Sequence, residues 1–517
     1  MHNFLPLSLG HLLETNARRF RDVPAWVMGE RSITHGELLI RARQLASALH
    51  NTGLRRQDRV GILSMNSLEY AETLAAAQYS GIIVATVNFR LAGPEMRYII
   101  NDATPEVLIF EAQYLPVIET LRSELPSVKT YVCIGGETEW AQNYEAFVAS
   151  GDPAGPGFVA TEDDIYCIVY TSGTTGKPKG CVWGHRETLA AGQICSGEMQ
   201  TGPTDRILLV MPLFHVGAMW MGLAVSYRGG TCYLHRQYDP DHALDTIGRE
   251  RITVLHFAPT MVHMLLESPK AASCDFSSVR TVVYSAAPMP TPLLRQAIKM
   301  FGRVFINLYG QSEVITSGLD RGLHHPDGTE RERRWLSSVG HPFPNTLVRI
   351  VDDHGQDCPQ GEPGEIVVKT VCMFRGYWNN SAATLNTIRD GWCFSGDMGR
   401  IDEDGILYLV DRKKDMIISG GENIYSREVE EAVLQHLAVS ECAVIGQPDD
   451  KWGEVVCAVV VLKAGMSATE EELIDHAKTL IASYKKPKQV IFAKELPKLA
   501  TGKINKIELR NLYTKKG

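Results

Sequence analysis

The chain has 517 residues, which is more than one hydrophobic core can organise, so several domains are expected. Apolar residues make up 44% of the sequence and charged residues 22%, as in ordinary globular proteins. The net charge of −8 argues against nucleic acid as the main partner, and the absence of 18 consecutive apolar residues argues against a membrane span. Because the sequence shows no signal peptide and its eleven cysteines no metal-binding spacing, a cytoplasmic protein with reduced thiols is predicted.

Apolar strands alternate with amphipathic helices in the first third of the chain. A capping box at Thr34–Glu37 predicts the start of a helix that ends at Gly53. Such an alternation predicts βαβ units and a mainly parallel sheet. A loose segment at 149–157 is predicted to link two lobes. The other strands predicted here are 59–64, 82–87 and 107–111, and the helices are 8–20, 67–80 and 94–102.

The same alternation continues beyond residue 180, with a strand predicted to end at His215. Short strands with turn signals at 340–409 predict a β-rich subdomain. The last hundred residues are predicted to form a separate small unit, with a helix opened by a capping box at Ser467–Glu470. The predicted fold is therefore α/β, with a large N-terminal domain of βαβ-type sheets, a β-rich subdomain and a small C-terminal α+β domain.

The stretch from Tyr170 to Gly180 concentrates glycines, hydroxyl side chains and two lysines behind a predicted buried strand, 165–170. Glycine lets the backbone approach an anion, while N–H groups, hydroxyls and lysines supply donors and positive charge. The spacing is not that of a Walker A loop. A polyphosphate-binding loop is favoured over a flexible surface turn. Its candidate ligands are Thr171, Ser172, Gly173, Thr174, Thr175, Gly176 and Lys177.

This loop resembles the phosphate loop of the adenylate-forming superfamily, which includes acyl-CoA synthetases, peptide-synthetase adenylation domains and luciferases. Further matches extend to Lys503. The resemblance implies an N-terminal domain, 1–413, that holds the ATP and acyl sites, and a mobile C-terminal lid, 414–517. It also implies ATP, Mg²⁺ and coenzyme A as ligands.

Tyr309-Gly-Gln-Ser-Glu313 follows another predicted strand, and ligands of α/β sheets bind at such strand ends. Glu313 offers the hard oxygen that Mg²⁺ prefers, and a tyrosine ring can stack on adenine. By itself the pentapeptide would be read as a turn with an exposed glutamate. It resembles the family's Tyr-Gly-x-Thr/Ser-Glu motif, which implies Glu313 on Mg²⁺, with Thr171 as a second candidate. The nucleotide-binding candidates around it are Asn307, Tyr309, Gly310 and Ser312, with Asn307 at the adenine amino group.

Two further segments match nucleotide-binding motifs of the family. Ser285, Ala286 and Ala287 form a small-residue turn, which the resemblance places against the adenine. Asp397, in a Ser-Gly-Asp sequence predicted to follow a strand, is implied as the ribose ligand, since a carboxylate can accept hydrogen bonds from a diol. Without the family, these segments would be a tight turn and an exposed loop aspartate.

The segment 408–423 resembles the family's interdomain stretch. The resemblance implies that Arg412 contacts ribose or phosphate and that Lys414 is the hinge. Gly420 and Gly421 would line the coenzyme A channel, since glycines let a ligand pass close to the backbone. Lys503 would be the adenylation lysine, which stabilises developing negative charge; in isolation it would be a surface lysine.

Residues after the phosphate loop indicate which kind of carboxylic acid the protein would bind. His215 matches a family position beside the acyl site, although a lone histidine among apolar residues is more often part of the core. Phe214 is not followed by the aspartate that binds an amino acid's ammonium group, which disfavours amino acids. Four apolar residues could line an acyl pocket or belong to the ordinary hydrophobic core, and both interpretations are equally good. These residues are Met219, Trp220, Phe257 and Ile315.

Residues in the C-terminal part indicate which molecule would accept the acyl group. Trp452 matches a position that stacks the coenzyme A adenine in some aryl-CoA ligases, and Lys485, Lys486 and Lys488 are candidates for its phosphates or for a solvated patch. The predicted activity is an ATP-dependent acid–CoA ligase for an uncharged aliphatic or aromatic acid, with a homodimer as a candidate assembly. The alternatives are an acyl-AMP ligase that loads a carrier protein and a non-catalytic nucleotide-binding regulator.

Overall fold

The computed structural model describes residues 8–171, 177–420, 422–449, 451–498 and 504–513. Their first part forms strands β1 (Pro24–Met28), β2 (Arg31–Thr34), β3 (Arg59–Leu63), β4 (Ile83–Thr86), β5 (Val107–Glu111), β6 (Thr130–Ile134), β7 (Gln142–Asn143), β8 (Ile165–Thr171) and β9 (Lys179–Gly184). The helices of this part are α1 (Leu9–Arg19), α2 (His35–Asn51), α3 (Leu68–Ser80), α4 (Gly93–Ala103), α5 (Leu115–Leu121) and α6 (Tyr144–Ala149).

The second part continues the alternation. Its strands are β10 (Arg206–Leu209), β11 (Thr231–Leu234), β12 (Val254–Phe257), β13 (Thr281–Tyr284), β14 (Phe305–Gly310), β15 (Ile315–Leu319) and β16 (His341–Pro342). Its helices are α7 (His185–Met199), α8 (Val216–Ser226), α9 (Pro240–Glu250), α10 (Pro259–Glu267), α11 (Thr291–Phe301) and α12 (Glu330–Trp335).

The third and fourth parts are smaller. The third contains β17 (Thr346–Val351), β18 (Gly364–Thr370), α13 (Ser381–Thr387), β19 (Ile388–Arg389), β20 (Trp392–Ile401) and β21 (Leu407–Arg412). The fourth contains β22 (Ile417–Ser419), β23 (Glu422–Ile424), α14 (Ser426–Leu434), β24 (Val439–Asp449), β25 (Gly453–Leu462), α15 (Glu470–Leu480), β26 (Gln489–Phe492) and α16 (Lys506–Tyr513).

Two large, mainly parallel sheets form the body of the N-terminal domain. One has the strand order β7-β6-β5-β3-β4-β8-β9 and the other β16-β15-β14-β13-β12-β10-β11-β1-β2. Successive residues of β3 point to opposite faces, as in any strand, so that Ile62 packs into a core shared by both large sheets and Leu63 into a second core on the outer face. The predicted βαβ architecture is confirmed.

The predicted β-rich region and the small C-terminal domain are also present. Strands β17 to β21 form an antiparallel sheet. The C-terminal sheet is built from β22 to β26 and buries apolar side chains on both faces, with Val444 in one cluster and Ile445 in another. Within the described residues, no helix is long and apolar enough to cross a membrane.

Some local predictions were wrong. The segment 149–157 does not separate two sheets, because β8, which follows it, joins the same sheet as β3 to β7. It packs on α2 instead, where a Cβ at Gly151 would lie 1.9 Å from the Gln44 carbonyl oxygen. The second capping box is formed by Thr469 and Glu472 rather than Ser467 and Glu470. Both errors arise because small polar residues favour loops and helix starts alike.

Asp205 fixes the beginnings of three parallel strands, β10, β12 and β13. Its buried carboxylate accepts hydrogen bonds from Thr253 Oγ1 at 2.7 Å, Arg280 Nε at 2.7 Å and the Gly202 backbone N–H at 2.6 Å. Burial by itself would raise the pKa of this carboxyl, but the donors, led by Arg280, outweigh burial and lower the pKa.

We predict that Asp205→Asn lowers the free energy of unfolding by about 1.5–3 kcal/mol at pH 7, because charged hydrogen bonds are lost. Since the folded-state pKa of Asp205 is depressed, its contribution is full above the unfolded pKa of about 3.9 and is lost as the pH falls through the folded value. Denaturant titrations should therefore show the difference from wild type shrinking below about pH 4. Asp163→Asn is the control, since that side chain is 77% exposed. Equal stability of wild type and Asp205→Asn at pH 7 would contradict this account.

Candidate active site

The carboxylate of Asp397 joins three separate segments of the chain. Tyr309 Oη donates to Oδ2 at 2.6 Å, Gln311 Nε2 donates to the same oxygen, and Arg412 Nε lies 2.6 Å from Oδ1. Burial and the neighbouring carboxylate raise the pKa of Tyr309, so its hydroxyl stays protonated and donates. The structure thus places Tyr309 and Arg412 in direct contact with Asp397, and all three residues were predicted from the sequence.

The position of Asp397 differs from the prediction in one respect. It lies within β20 rather than after it, directly opposite Arg412 on β21. Gly396 before it has a φ of +68°, which an L-residue rarely adopts. A carboxylate offers about four lone-pair sites, and three donors already occupy three of them. A ribose diol that donates two hydrogen bonds therefore needs one of these donors to move aside.

Glu313 lies in the turn between the antiparallel strands β14 and β15. Tyr377 Oη donates to its Oε1 at 2.7 Å, which fixes the direction of the carboxylate. Burial, followed by this carboxylate, raises the pKa of Tyr377. The ammonium of Lys179 lies 4.6 Å from the centre of the Tyr377 ring, so the end of the phosphate loop is connected to Glu313 through one side chain. Tyr377 was not identified from the sequence, where it belongs to no motif.

The predicted phosphate loop joins two antiparallel strands, β8 and β9, at the edge of the seven-stranded sheet. Thr171 Oγ1 donates to the Lys179 carbonyl at 3.4 Å, and the Lys177 ammonium lies 5.4 Å from the Tyr98 ring centre. Trp183 Nε1 donates to the Ser312 carbonyl at 2.9 Å and so connects this hairpin to the segment that carries Glu313. The other loop candidates, Ser172, Gly173, Thr174, Thr175 and Gly176, lie outside the described residues.

Asn307 has the geometry of a ligand for an amino group. Its Nδ2 donates to the Tyr284 carbonyl at 3.1 Å, which leaves Oδ1 facing away, and that buried oxygen has no hydrogen-bond partner within the described ranges. Leaving a buried acceptor unsatisfied costs about 1–3 kcal/mol. The 6-amino group of adenine would satisfy it, so this residue fits the predicted adenine site.

The small-residue turn after β13 lies next to Asn307 in the sheet, because β13 and β14 are neighbours. Ala286 adopts a φ of +73°, a strained conformation for a residue with a Cβ, and such strain is concentrated at functional sites. Ser285 is hydrogen-bonded through its hydroxyl to His256, whereas Ala287 and Ala286 are half-buried. The contact of this turn with adenine stays a prediction.

His215 does not end a strand, because β10 ends at Leu209 and His215 is the residue before α8. Its ring lies 4.3 Å from that of Phe214, between ring centres. The four apolar candidates for the acyl pocket are all buried, and Trp220 packs edge-on against Trp183 at 4.9 Å. Their burial fits pocket and core equally, so the pocket wall stays a prediction for Met219, Trp220, Phe257 and Ile315.

The C-terminal candidates lie around Trp452, whose side chain is 42% exposed. Gly420 has a φ of +61°, and a Cβ there would lie 2.6 Å from the Trp452 ring. The ammonium groups of Lys451 and Lys488 lie 5.0 and 5.8 Å from the centre of this ring. Lys485 instead lies 2.8 Å from both carboxylate oxygens of Glu428.

Lys414, the predicted hinge, is exposed, and partial desolvation of its ammonium lowers the pKa of this group. The hinge role itself stays a prediction. Gly421 and Lys503 lie outside the described residues.

A model described as AMP-binding enzyme matches residues 13–378, and one described as AMP-binding enzyme C-terminal domain matches residues 428–503. The chain belongs to the AMP-binding enzyme family. It is 36% identical to a feruloyl-CoA synthase of an Amycolatopsis species, over 94% of this chain and 95% of the relative. It is 34% identical to the long-chain-fatty-acid–CoA ligase FadD13 of Mycobacterium tuberculosis, over 93% of both chains.

Solved structures of AMP-binding enzymes share the whole fold. The anthranilate CoA ligase AuaEII in complex with anthranoyl-AMP superposes with a TM-score of 0.91. The two sequences are 28% identical, and the alignment covers 99% of this chain and 98% of that one. The predicted adenylate-forming fold and family are therefore confirmed.

We predict that Asn307→Leu weakens ATP binding about 10-fold or more and leaves GTP binding unchanged, because guanine presents a carbonyl oxygen where adenine presents its amino group. Calorimetric titration of both nucleotides checks this. Asn66→Leu is the matched control, since the buried amide of Asn66 is fully partnered by Met211, Leu213 and His235. It should lower the melting temperature without changing the ATP/GTP ratio. An unchanged ratio in Asn307→Leu would contradict the assignment.

Proposed function

We propose that the protein is an ATP-dependent acid–CoA ligase, which converts a carboxylic acid first to an acyl-adenylate and then to an acyl-CoA. The observation that carries the proposal is the contact of Tyr309, Asp397 and Arg412, next to Glu313, in a chain of the AMP-binding enzyme family. Relatives named as CoA ligases align with nearly the whole chain, including its C-terminal part, which supports the second half of the reaction.

The first step activates the acid. A carboxylate oxygen attacks the α-phosphorus of ATP, and the bond to pyrophosphate breaks. In the later acyl transfer this oxygen leaves as part of AMP, which is a good leaving group, whereas oxide is a poor one. Such phosphoryl chemistry depends on positioning and on charge neutralisation. We assign positioning of the nucleoside to Asn307 and Asp397, and neutralisation of the phosphates to Lys503 and the lysines of the phosphate loop.

Glu313 is the residue that we propose to hold Mg²⁺, with Thr171 as the second candidate. The ion would neutralise the charge of the phosphate oxygens. Tyr377 donates to one oxygen of the Glu313 carboxylate and leaves the other for a ligand, so Tyr377 is a positioning residue in this proposal. Carboxylate oxygens are the ligands that Mg²⁺ prefers.

The second step transfers the acyl group to a thiol. The sulfur of coenzyme A attacks the acyl carbon, and AMP leaves. Trp452 supports coenzyme A as the acceptor, because an exposed aromatic ring close to two lysines can stack a base while the lysines attract phosphates. We propose that residues 414–517 turn about Lys414 between the two steps. This turn would remove the loop of Lys503 from the site of the acyl-adenylate and bring the surface of Gly420 and Trp452 there instead.

The substrate that we propose is an uncharged aliphatic or aromatic acid. Buried apolar residues flank His215 in the sequence, and no acidic residue follows Phe214 to bind an ammonium group. The named substrates of the two relatives, a ring-bearing acid and a long-chain fatty acid, fall in the same broad class.

The test is release of AMP from ATP with a panel of acids, namely acetate, octanoate, palmitate, benzoate, cinnamate and several amino acids, with and without coenzyme A. We expect AMP release that depends on an uncharged acid and rises sharply with coenzyme A. Release that ignores coenzyme A would move the acceptor to a carrier protein. The absence of AMP release with every acid would contradict the proposal.

Trp452→Ala separates the two steps within the same assay. It should raise the KM for coenzyme A about 10-fold, the loss expected for one stacked base, and leave acid-dependent pyrophosphate exchange unchanged. Phe492→Ala is the control, because its ring is 44% exposed on the same domain. An unchanged KM for coenzyme A in Trp452→Ala would remove Trp452 from the binding surface.

A further inference from the structure

The imidazole of His256, on β12, is a buried polar group that no sequence motif identifies. It is 1% exposed, and its Nε2 lies 2.8 Å from the hydroxyl of Ser285. Its other nitrogen, Nδ1, is buried and has no hydrogen-bond partner in the part of the chain that the structure describes. Burial lowers the pKa of His256 to about 4, so the ring is neutral at physiological pH.

An unsatisfied nitrogen in an apolar core is costly, and leucine would avoid that cost at the same position. His256 faces the first turn of α8, where a Cβ built on Gly217 would lie 3.8 Å from the Cε1 of His256. Apart from the backbone of α8 and the residues next to Gly217 in the chain, that Cβ would meet no other atom within 4 Å. The absence of a side chain at Gly217 therefore leaves space beside the edge of the ring.

The surroundings of His256 connect the two halves of the proposed site. Gly217 is two residues beyond His215, which we place beside the acyl group, and Ser285 begins the turn that we place against adenine. His256 is hydrogen-bonded to one of these segments and faces the other, so its unpaired nitrogen is well placed to bind a polar substituent of the acyl group.

We propose that His256 Nδ1 is a specificity determinant that binds a hydroxyl group of the acid, so that the preferred substrates are hydroxylated carboxylic acids. This inference rests on the proposed acid-activating function. A neutral imidazole has one donor and one acceptor nitrogen, and the Ser285 hydroxyl can take either role towards Nε2. A substrate hydroxyl can also donate or accept, so it pairs with Nδ1 in both tautomers.

The same geometry disfavours a second charged group on the acid. A neutral ring offers no charge to compensate a buried carboxylate or ammonium, and burial without compensation is far more costly than loss of one hydrogen bond. A site built to bind a substrate hydroxyl also discriminates against the analogue that lacks it, because the protein group is then left unpaired.

The experiment compares matched acids, namely benzoate with its 2-, 3- and 4-hydroxy forms, cinnamate with its ring-hydroxylated forms, and octanoate with hydroxyoctanoates. Two readouts are taken: kcat/KM for AMP release, and the rise in melting temperature with each acid plus a non-hydrolysable ATP analogue. We expect at least one hydroxylated acid to exceed its parent about 10-fold or more in kcat/KM, and to raise the melting temperature further.

Three variants of His256 identify the nitrogen. His256→Leu should bring the ratio between hydroxylated and parent acid close to one. His256→Asn retains a polar group near the position of Nδ1 and should keep part of the preference. His256→Gln retains one near Nε2, so it should keep the bond to Ser285 but lose the preference.

His235→Leu is the matched control. His235 is also buried, has its Nε2 3.0 Å from Thr246 Oγ1, and has an Nδ1 for which the described residues provide no partner. The His235 ring stacks on His242 of α9, away from Ser285 and Gly217, so the variant should leave the ratio between acids unchanged.

The outcomes separate the two proposals. No preference for any hydroxylated acid in the wild type, or an unchanged preference in His256→Leu, would overturn the role of His256 while AMP release upholds the ligase. Absence of AMP release with every acid would overturn the ligase. The melting temperatures would then test the role of His256 alone. A rise that depends on the hydroxyl group and is lost in His256→Leu supports that role, whereas an equal rise with the hydroxylated and the parent acid overturns it.

Discussion

The interaction on which the proposed site depends is the set of hydrogen bonds to the Asp397 carboxylate. Tyr309 comes from the nine-stranded sheet, Asp397 from the antiparallel sheet, and Arg412 from the strand that leads to the C-terminal domain. Because the buried carboxylate of Asp397 binds both Tyr309 and Arg412, the relative positions of these parts are set at the place where we propose the ribose to bind. A nucleotide that displaces one of these donors would therefore act directly on the segment before the proposed hinge.

The site is also marked by polar atoms that the protein leaves unsatisfied. Asn307 Oδ1 and His256 Nδ1 are both buried without a partner in the described part of the chain, and they lie on β14 and β12, the two strands that flank β13 in one sheet. Each such atom lowers the stability of the free protein. A ligand that supplies an amino group and a hydroxyl would recover that cost, so the free energy lost in folding is regained in binding. Adenine and a hydroxylated acid would do so on either side of β13.

The sequence predicted the order of strands and helices well, because apolar periodicity and caps are local signals: the capping box at Thr34 and the helix it starts are as expected. The family motifs identified Tyr309, Asp397 and Arg412 one by one, and the fold brings them together. Contacts between distant segments could not be predicted, since Tyr377 and His256 belong to no motif and acquire their roles only through the fold. His215 was placed on a strand because an apolar run, 208–214, does not reveal where a strand ends.

The most direct test of the account is a crystal structure of the protein with AMP bound. We predict that the adenine amino group lies about 3 Å from Asn307 Oδ1 and that a ribose hydroxyl lies about 3 Å from Asp397, with at least one of the three donors displaced. AMP bound elsewhere, or bound here with its amino group away from Asn307 and its ribose away from Asp397, would contradict the central claim that these residues form one nucleotide site.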